Sequence, residues 1–178
     1  MTRIGLLSDT HGYLDPRIFA HFSSCDEIWH VGDIGSEEVL QRLREYRPTR
    51  AVFGNMDGGE VRYSLQELYR FRVEEVNVLL THIGGYPGRY NPWLLPVFQK
   101  SIQARQYPTD DNRHQQIDLF VCGHSHILKV QYDKQFGFLT LNPGAAGKQG
   151  WQTVQTLLRF AIDGHDIRDL EVIELERH

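Results

Sequence analysis

The stretch "RIGLLSD", residues 3–9, is a short apolar run closed by Ser8 and Asp9. Such a run, bounded by polar residues, is the pattern of a buried strand. The pattern recurs with helices between its copies. "DPRIFAHFSS" (15–24) opens with Asp15 and Pro16, a helix-start signal. "EIWHVGD" (27–33) reads as a second strand. "SEEVLQRLREY" (36–46) has Ser36 as a cap and Val39, Leu40 and Leu43 on one face, so it reads as an amphipathic helix. "RAVFGN" (50–55) is a third strand. Strand, helix, strand, helix, strand at this spacing predicts a parallel α/β core with right-handed crossovers.

The second half reads as strand-rich and mainly antiparallel. "LYRFRVEEVNVLLTH" (68–82) gives two strands turning near Glu74 and Glu75, and "PWLLPVFQKSIQARQ" (92–106) a helix with Pro96 near its start. "QYPTDDNRHQQ" (106–116) reads as a loop or a short helical turn. "DLFVCG" (118–123) is a strand. "ILKVQYD" and "FGFLTLN" flank Lys134-Gln135 as a hairpin, and a last pair turns around Gly164 and His165. No linker or internal repeat divides the chain, so residues 1–178 are read as one domain.

Bulk composition narrows the function classes. The chain is 40% hydrophobic and 24% charged, with a formal net charge of −4. That balance does not suggest a general nucleic-acid binder or a polybasic membrane-surface protein. Cys25 and Cys122 lack CxxC spacing, which argues against a zinc ribbon or a thioredoxin-like motif. The start "MTRIGLLSDTHG" does not resemble a signal peptide, and no apolar run nears membrane-spanning length. The cytoplasm is the expected location.

The informative residues stand where strands end. The first strand ends in Asp9 and His11, the second in Asp33, the third in Asn55 and Asp57, a later one in His82, and the next in His124 and His126. Ligands of open α/β sheets bind beyond the carboxyl ends of strands, so these residues are expected to converge. Carboxylate, imidazole and amide oxygen without thiolate suit Mn, Fe, Co, Ni or Zn better than Ca or Mg. Asp9 and His11 stand two apart, as do His124 and His126, a spacing that in extended backbone puts both side chains on one side. Asp57 aside, seven candidate ligands exceed the needs of one ion with open positions, and two ions sharing Asp33 is the natural count. Taken alone, "GHSH" reads as a structural histidine pair, and Gly-Asp or Gly-Asn after a strand as turn chemistry. The joint pattern at five strand ends points to metal.

D-x-H, GD, GN-x-D, a lone His and GH-x-H, in that order from Asp9 to His126, resemble the calcineurin-like metallophosphoesterase superfamily. "LNPGAAG" (141–147) is similar to the "NPGS" of its small bacterial and archaeal phosphodiesterase branch, which also includes the retromer subunit of eukaryotes. The resemblance implies a four-layer αββα sandwich of two mixed sheets and a di-metal phosphoesterase. It implies that Asp9, His11, Asp33 and His126 hold one ion, and that Asp33, Asn55, His82 and His124 hold the other. Asp33, Asn55 and His124 are also the expected catalytic residues, Mn the first expectation for the metal, and a small phosphodiester or nucleotide-like molecule the expected substrate. Asp57 is expected to orient the turn from behind the ligands.

Many members carry a histidine directly after the GN, where it assists the departing oxygen; here that position is Met56. His30 reads as strand core and His114 as the replacement donor to test. "IGGYPGRYNPW" (83–93) lies in a segment, 83–117, that reads either as a cap or rim over the site or as a subunit interface of a homo-oligomer. In the rim reading Arg89 pairs with phosphate, and Tyr86, Tyr90 and Trp93 offer aromatic faces. Two functions compete: a phosphodiester hydrolase, and a non-catalytic metal-binding scaffold of the same fold. A single structural metal site fits less well, because there are too many ligands and none is cysteine.

Overall fold

The computed structural model describes residues 1–177. In chain order the elements are β1 (Thr2–Leu7), α1 (Arg17–His21), β2 (Glu27–His30), α2 (Glu37–Tyr46), β3 (Thr49–Ala51), α3 (Gly59–Ser64), β4 (Leu68–Val73) and β5 (Val76–Thr81). Then come α4 (Leu95–Gln106), β6 (Leu119–Val121), β7 (Lys129–Asp133), β8 (Phe138–Asn142), β9 (Val154–Asp163) and β10 (Asp166–Glu176). Short 3₁₀ turns cover Pro92–Leu94 and Arg113–Gln115.

The strands form two five-stranded sheets, ordered β10-β9-β1-β2-β3 and β4-β5-β6-β8-β7. Both are mixed. β1, β2 and β3 run parallel, with the β9–β10 hairpin added antiparallel at β1. In the second sheet β5, β6 and β8 are parallel, and only the outer strands β4 and β7 are antiparallel. The second half is mainly antiparallel as read, with one exception: the centre of the second sheet is parallel. Its hairpins form as read, but they flank a parallel centre whose crossovers run through α4 and through β7.

Alternation along the strands makes the layers. Ile4 and Leu6 point between the sheets, where they meet Trp29, Val78, Leu80, Val121, Leu141 and Phe160. Leu7 points the other way and packs with Ile18 and Phe22 of the α1 region, Leu40 and Leu43 of α2 and Val61 of α3. The outer face of the second sheet packs Leu79, Phe120 and Phe138 against Leu94 and against Phe98 of α4. The order is helices, sheet, sheet, helix: a four-layer αββα sandwich. Much of the segment 83–117 is this outer layer. Fully buried Phe98 anchors α4 there, and truncating it to Ala would cost about 3–5 kcal/mol.

Helix α2 illustrates how local signals set the frame. Ser36 Oγ accepts from Val39 N at 3.3 Å, Glu37 and Glu38 occupy the first turn, and Val39, Leu40 and Leu43 are buried. The third strand is shorter than read: β3 stops at Ala51, and only an isolated bridge from Val52 to Gln66 continues it. Residues 53–58 are thereby released to form a turn at the sheet end.

Candidate metal centre

The loops beyond the ends of β1, β2, β3, β5 and β6 bring two sets of potential ligands together. Asp9, His11 and His126 form one group, and Asp33, His82 and His124 another; within each, one ligand atom from every residue lies within 4.8 Å of the others. In the first group His126 Nε2 is 3.2 Å and His11 Nε2 3.7 Å from Asp9 Oδ1. In the second, His82 Nε2 is 3.1 Å from Asp33 Oδ2. The groups adjoin. His82 Nε2 lies 3.8 Å from Asp9 Oδ1, and His11 Nε2 lies 3.8 Å from Asp33 Oδ2. Asn55 joins through its Oδ1, 3.1 Å from His124 Nδ1.

Backbone geometry departs from the extended reading of the paired motifs. Asp9, His11, Asp33, His124 and His126 all have positive φ, between 49° and 68°. Among the described residues only two other non-glycine positions, Glu74 and Asp169, share that conformation. For an L-residue it costs about 1–2 kcal/mol. The side chains of Asp9, His11, His124 and His126 converge because the chain coils left-handed at each of them, not because alternate residues of a strand share a face. Strain concentrated at one site is a mark of function. Two glycines permit the close approach. A Cβ on Gly54 would strike the Asp33 carboxylate and backbone, and one on Gly123 would strike Ser8 and Asp9.

Polar contacts fix which atoms remain free. His82 Nδ1 is 2.7 Å from Val31 O, so Nδ1 carries a proton and donates, which turns Nε2 toward the carboxylates of Asp33 and Asp9. Asp9 Oδ2 accepts from Ser8 Oγ at 2.7 Å and from His124 N at 3.1 Å. Asp9 Oδ1 and His82 Nε2 are both buried and have no hydrogen-bond partner. Asp33 Oδ2 lies 3.1 Å from His82 Nε2 and His126 Nε2 3.2 Å from Asp9 Oδ1, so carboxylate and imidazole atoms crowd together under cover without well-formed hydrogen bonds, an arrangement that a cation among them satisfies. The residues present therefore fit a bound divalent ion. Electrostatics agree. Burial opposes ionisation of Asp9, yet the His11 and His126 imidazoles hold its carboxyl well below the usual range. Burial likewise opposes ionisation of Asp33, and His82 with the Met56 N–H at 2.9 Å lowers it. Asp9 raises His11. Burial and the nearby His82 lower His124, keeping its ring neutral and able to ligate.

The surrounding residues hold these loops in place. The buried Asp57 carboxylate accepts from Gly54 N (2.8 Å), Gly35 N (2.9 Å) and Ile34 N (3.2 Å), tying the Asp33 loop to the Asn55 turn. His30 is buried and accepts from Gly32 N on Nδ1, so Nε2–H donates to Thr10 Oγ1 at 2.9 Å. Thr10 in turn donates to Ile34 O. Asn142, in the "LNPG" stretch, donates to Gly123 O and Ser125 Oγ and so pins the loop of His124 and His126. Ser8, Thr10 and Asn142 were not singled out by residue type, though Ser8 and Thr10 flank Asp9.

Three sequence expectations fail here. Tyr90 is not at a substrate rim: it is buried among Phe98, Phe120, Phe136 and Phe138, and its hydroxyl donates to Asp133 Oδ2 at 2.6 Å. His114 is exposed beside Asn77 and Arg113, at the opposite end of β5 from His82, too far away to protonate a leaving group. Arg89 is exposed in a turn closed by its N–H on Tyr86 O, and it is not among the residues lining the cleft beside Asn55 and His82. Trp93, from the same segment, does line that cleft.

Comparison with known proteins agrees with the geometry. Residues 2–165 match the family model of the calcineurin-like phosphoesterase superfamily domain. A probable metallophosphoesterase of Methanocaldococcus jannaschii is 29% identical over 147 residues, 80% of this chain and 67% of that protein. The Vps29 structure from Chaetomium thermophilum superposes with a TM-score of 0.68 at 15% identity, covering 100% of both chains. YfcE, a phosphoesterase from E. coli, superposes with a TM-score of 0.55 at 20% identity, covering 95% of this chain and 98% of the other.

Proposed function

The chain belongs to the calcineurin-like phosphoesterase superfamily, and from that premise we propose that it hydrolyses phosphodiesters with the aid of two divalent ions. Asp9, His11, Asp33 and His126 would hold one ion, and Asp33, Asn55, His82 and His124 the other. The thiolate-free donor set suits Mn first, with Fe, Zn, Ni and Co as alternatives. When bound, such a pair supplies Lewis-acid stabilisation to a phosphoryl group undergoing in-line displacement. The observation that carries the reading is the convergence of two adjoining ligand groups, Asp9, His11 and His126 with Asp33, His82 and His124, whose buried atoms Asp9 Oδ1 and His82 Nε2 make no well-formed hydrogen bond.

The chain's own residues then have distinct tasks. Asp33 places charge where the two groups adjoin. Asn55 turns its Oδ1 toward His124, which leaves its NH₂ to donate to a phosphoryl oxygen. A contact of that kind is commonly worth roughly 10²–10³ in rate. Met56 is exposed and has no proton to give. Lack of a general acid typically forfeits about 10²–10⁴-fold, least for leaving groups that depart as stable anions. The preferred substrates are therefore small diesters with a good leaving group, aryl or nucleotide-like, in the cytoplasm.

A scaffold without turnover is the second reading, favoured by the likeness to Vps29. Activity separates the two. Chelated protein should be inactive towards an aryl phosphodiester and regain turnover with Mn²⁺, binding two ions per chain. Asp33→Asn should lower metal content at both positions and abolish turnover. Full turnover in excess chelator, or two tightly held ions with no diester hydrolysed, would overturn the hydrolase reading.

A further inference from the structure

A cleft of about 210 Å³ opens directly beside the metal centre, with Asn55 and His82 as its inner wall. Its outer walls are Phe53, Arg62, Ile83 and Trp93. It is smaller than a drug-sized pocket, so it has room for one ring system and little more. From these walls we infer that it is a subsite for the planar base of a nucleotide-bearing phosphodiester. The inference rests on the phosphodiesterase reading of the same centre and adds the identity of one ester substituent.

The walls supply what a flat ring needs. Trp93 is 40% exposed and lines the cleft, so part of its indole is open to a ring that enters there. Its stretch of backbone is anchored. Leu94, next in sequence, is fully buried, and its N–H donates to Asn91 O at 3.0 Å. Asn91 N donates to Gly84 O at 2.9 Å, closing the loop back onto the end of β5. An indole carried on an anchored backbone loses less entropy when a base stacks on it. Arg62 adds a guanidinium, held 4.3 Å from the Phe53 ring centroid, with no carboxylate within 4 Å among the described residues. Guanidinium planes and aromatic faces are the two surfaces on which bases stack. Glu67 also lines the cleft. Its charge disfavours a second phosphate there and so favours an uncharged ring over a polyphosphate tail.

The test compares two probes that share a ribose 5-phosphate unit, one with a base at C1 and one with a hydroxyl there. Binding of adenosine 5′-monophosphate and of ribose 5-phosphate to Mn²⁺-loaded protein is measured by calorimetry, with no turnover required. The monophosphate with its base should bind roughly 5- to 100-fold more tightly, the range expected for one stacked base. Trp93→Ala should bring the two probes to within about twofold of each other, and Trp93→Phe should retain most of the preference. Equal affinities in the wild type, or a preference that survives Trp93→Ala, would overturn the inference. The diester assay separates it from the reading it rests on. A base preference that depends on Trp93 in a protein hydrolysing no diester would sink the hydrolase reading alone. Diester hydrolysis with no base preference would sink the subsite alone.

Discussion

Replacing Asp57 by Asn tests whether the site is held together by backbone hydrogen bonds to one buried carboxylate. Asp57 is 5% exposed, and its two oxygens accept three N–H groups, those of Ile34, Gly35 and Gly54. Asparagine matches its shape but offers one acceptor oxygen and one NH₂. In the better of its two orientations the NH₂ faces Gly35 N, and one buried N–H loses its acceptor at a cost of about 1–3 kcal/mol. The two remaining bonds change from charge-assisted to neutral, at about 1 kcal/mol each. The sum is roughly 3–5 kcal/mol. For a chain of this length that lowers the melting temperature by about 6–20 °C. The assay is equilibrium urea unfolding in excess chelator, which removes any metal contribution. The midpoint should fall with an unchanged slope. An Asp57→Asn protein within about 0.5 kcal/mol of wild type would refute the reasoning, because three buried donors would then need no carboxylate.

Two further perturbations follow from buried groups. His30 is buried and neutral, with its pKa pulled down to about 4 by burial against an ordinary 6.5. Between those values the unfolded chain binds a proton that the folded chain does not, so His30's contribution is complete above pH 6.5 and declines as pH falls toward 4. The difference between wild-type and His30→Gln stability curves should shrink by about 3 kcal/mol across that window, and a flat difference curve would contradict it. Tyr90→Phe should cost about 1.5–3 kcal/mol of stability, because Asp133 Oδ2 loses its donor, with kcat/KM unchanged; reduced kcat/KM at unchanged stability would return Tyr90 to the rim.

The elements legible in the sequence were those whose signal is local. Ser36 capping α2, Pro96 opening α4 and the turns at Glu74-Glu75 and Gly164-His165 are short-range chemistry, and each element forms where it reads. What stayed hidden is tertiary. No residue of β9 says that its neighbour is β1, or that β5, β6 and β8 run parallel between antiparallel edges. Helix α3 begins at Gly59 with φ of 56° and buries only Val61, leaving little apolar periodicity to read. The converging residues were legible because strand ends are. Their left-handed backbone was not, since spacing two apart reads equally as extended chain. Tyr90 sits in a Gly/Pro-rich stretch that looks like a surface loop, and Asp133, which holds it inside, is 43 residues away.

Asp9, Asp33 and Asn55 hang from the first sheet, while His82, His124 and His126 hang from the second. The proposed centre thus spans the seam between two layers formed by distant parts of the chain, with a bond from His82 Nδ1 to Val31 O crossing the same seam. Neither layer alone carries a complete ligand group. A nascent or half-refolded chain, in which one layer has formed and the other has not docked, offers only weak, incomplete chelation. Metal capture is then a late step that reports on the finished sandwich, and a loaded centre resists the parting of the two layers at the edge where a substrate would enter.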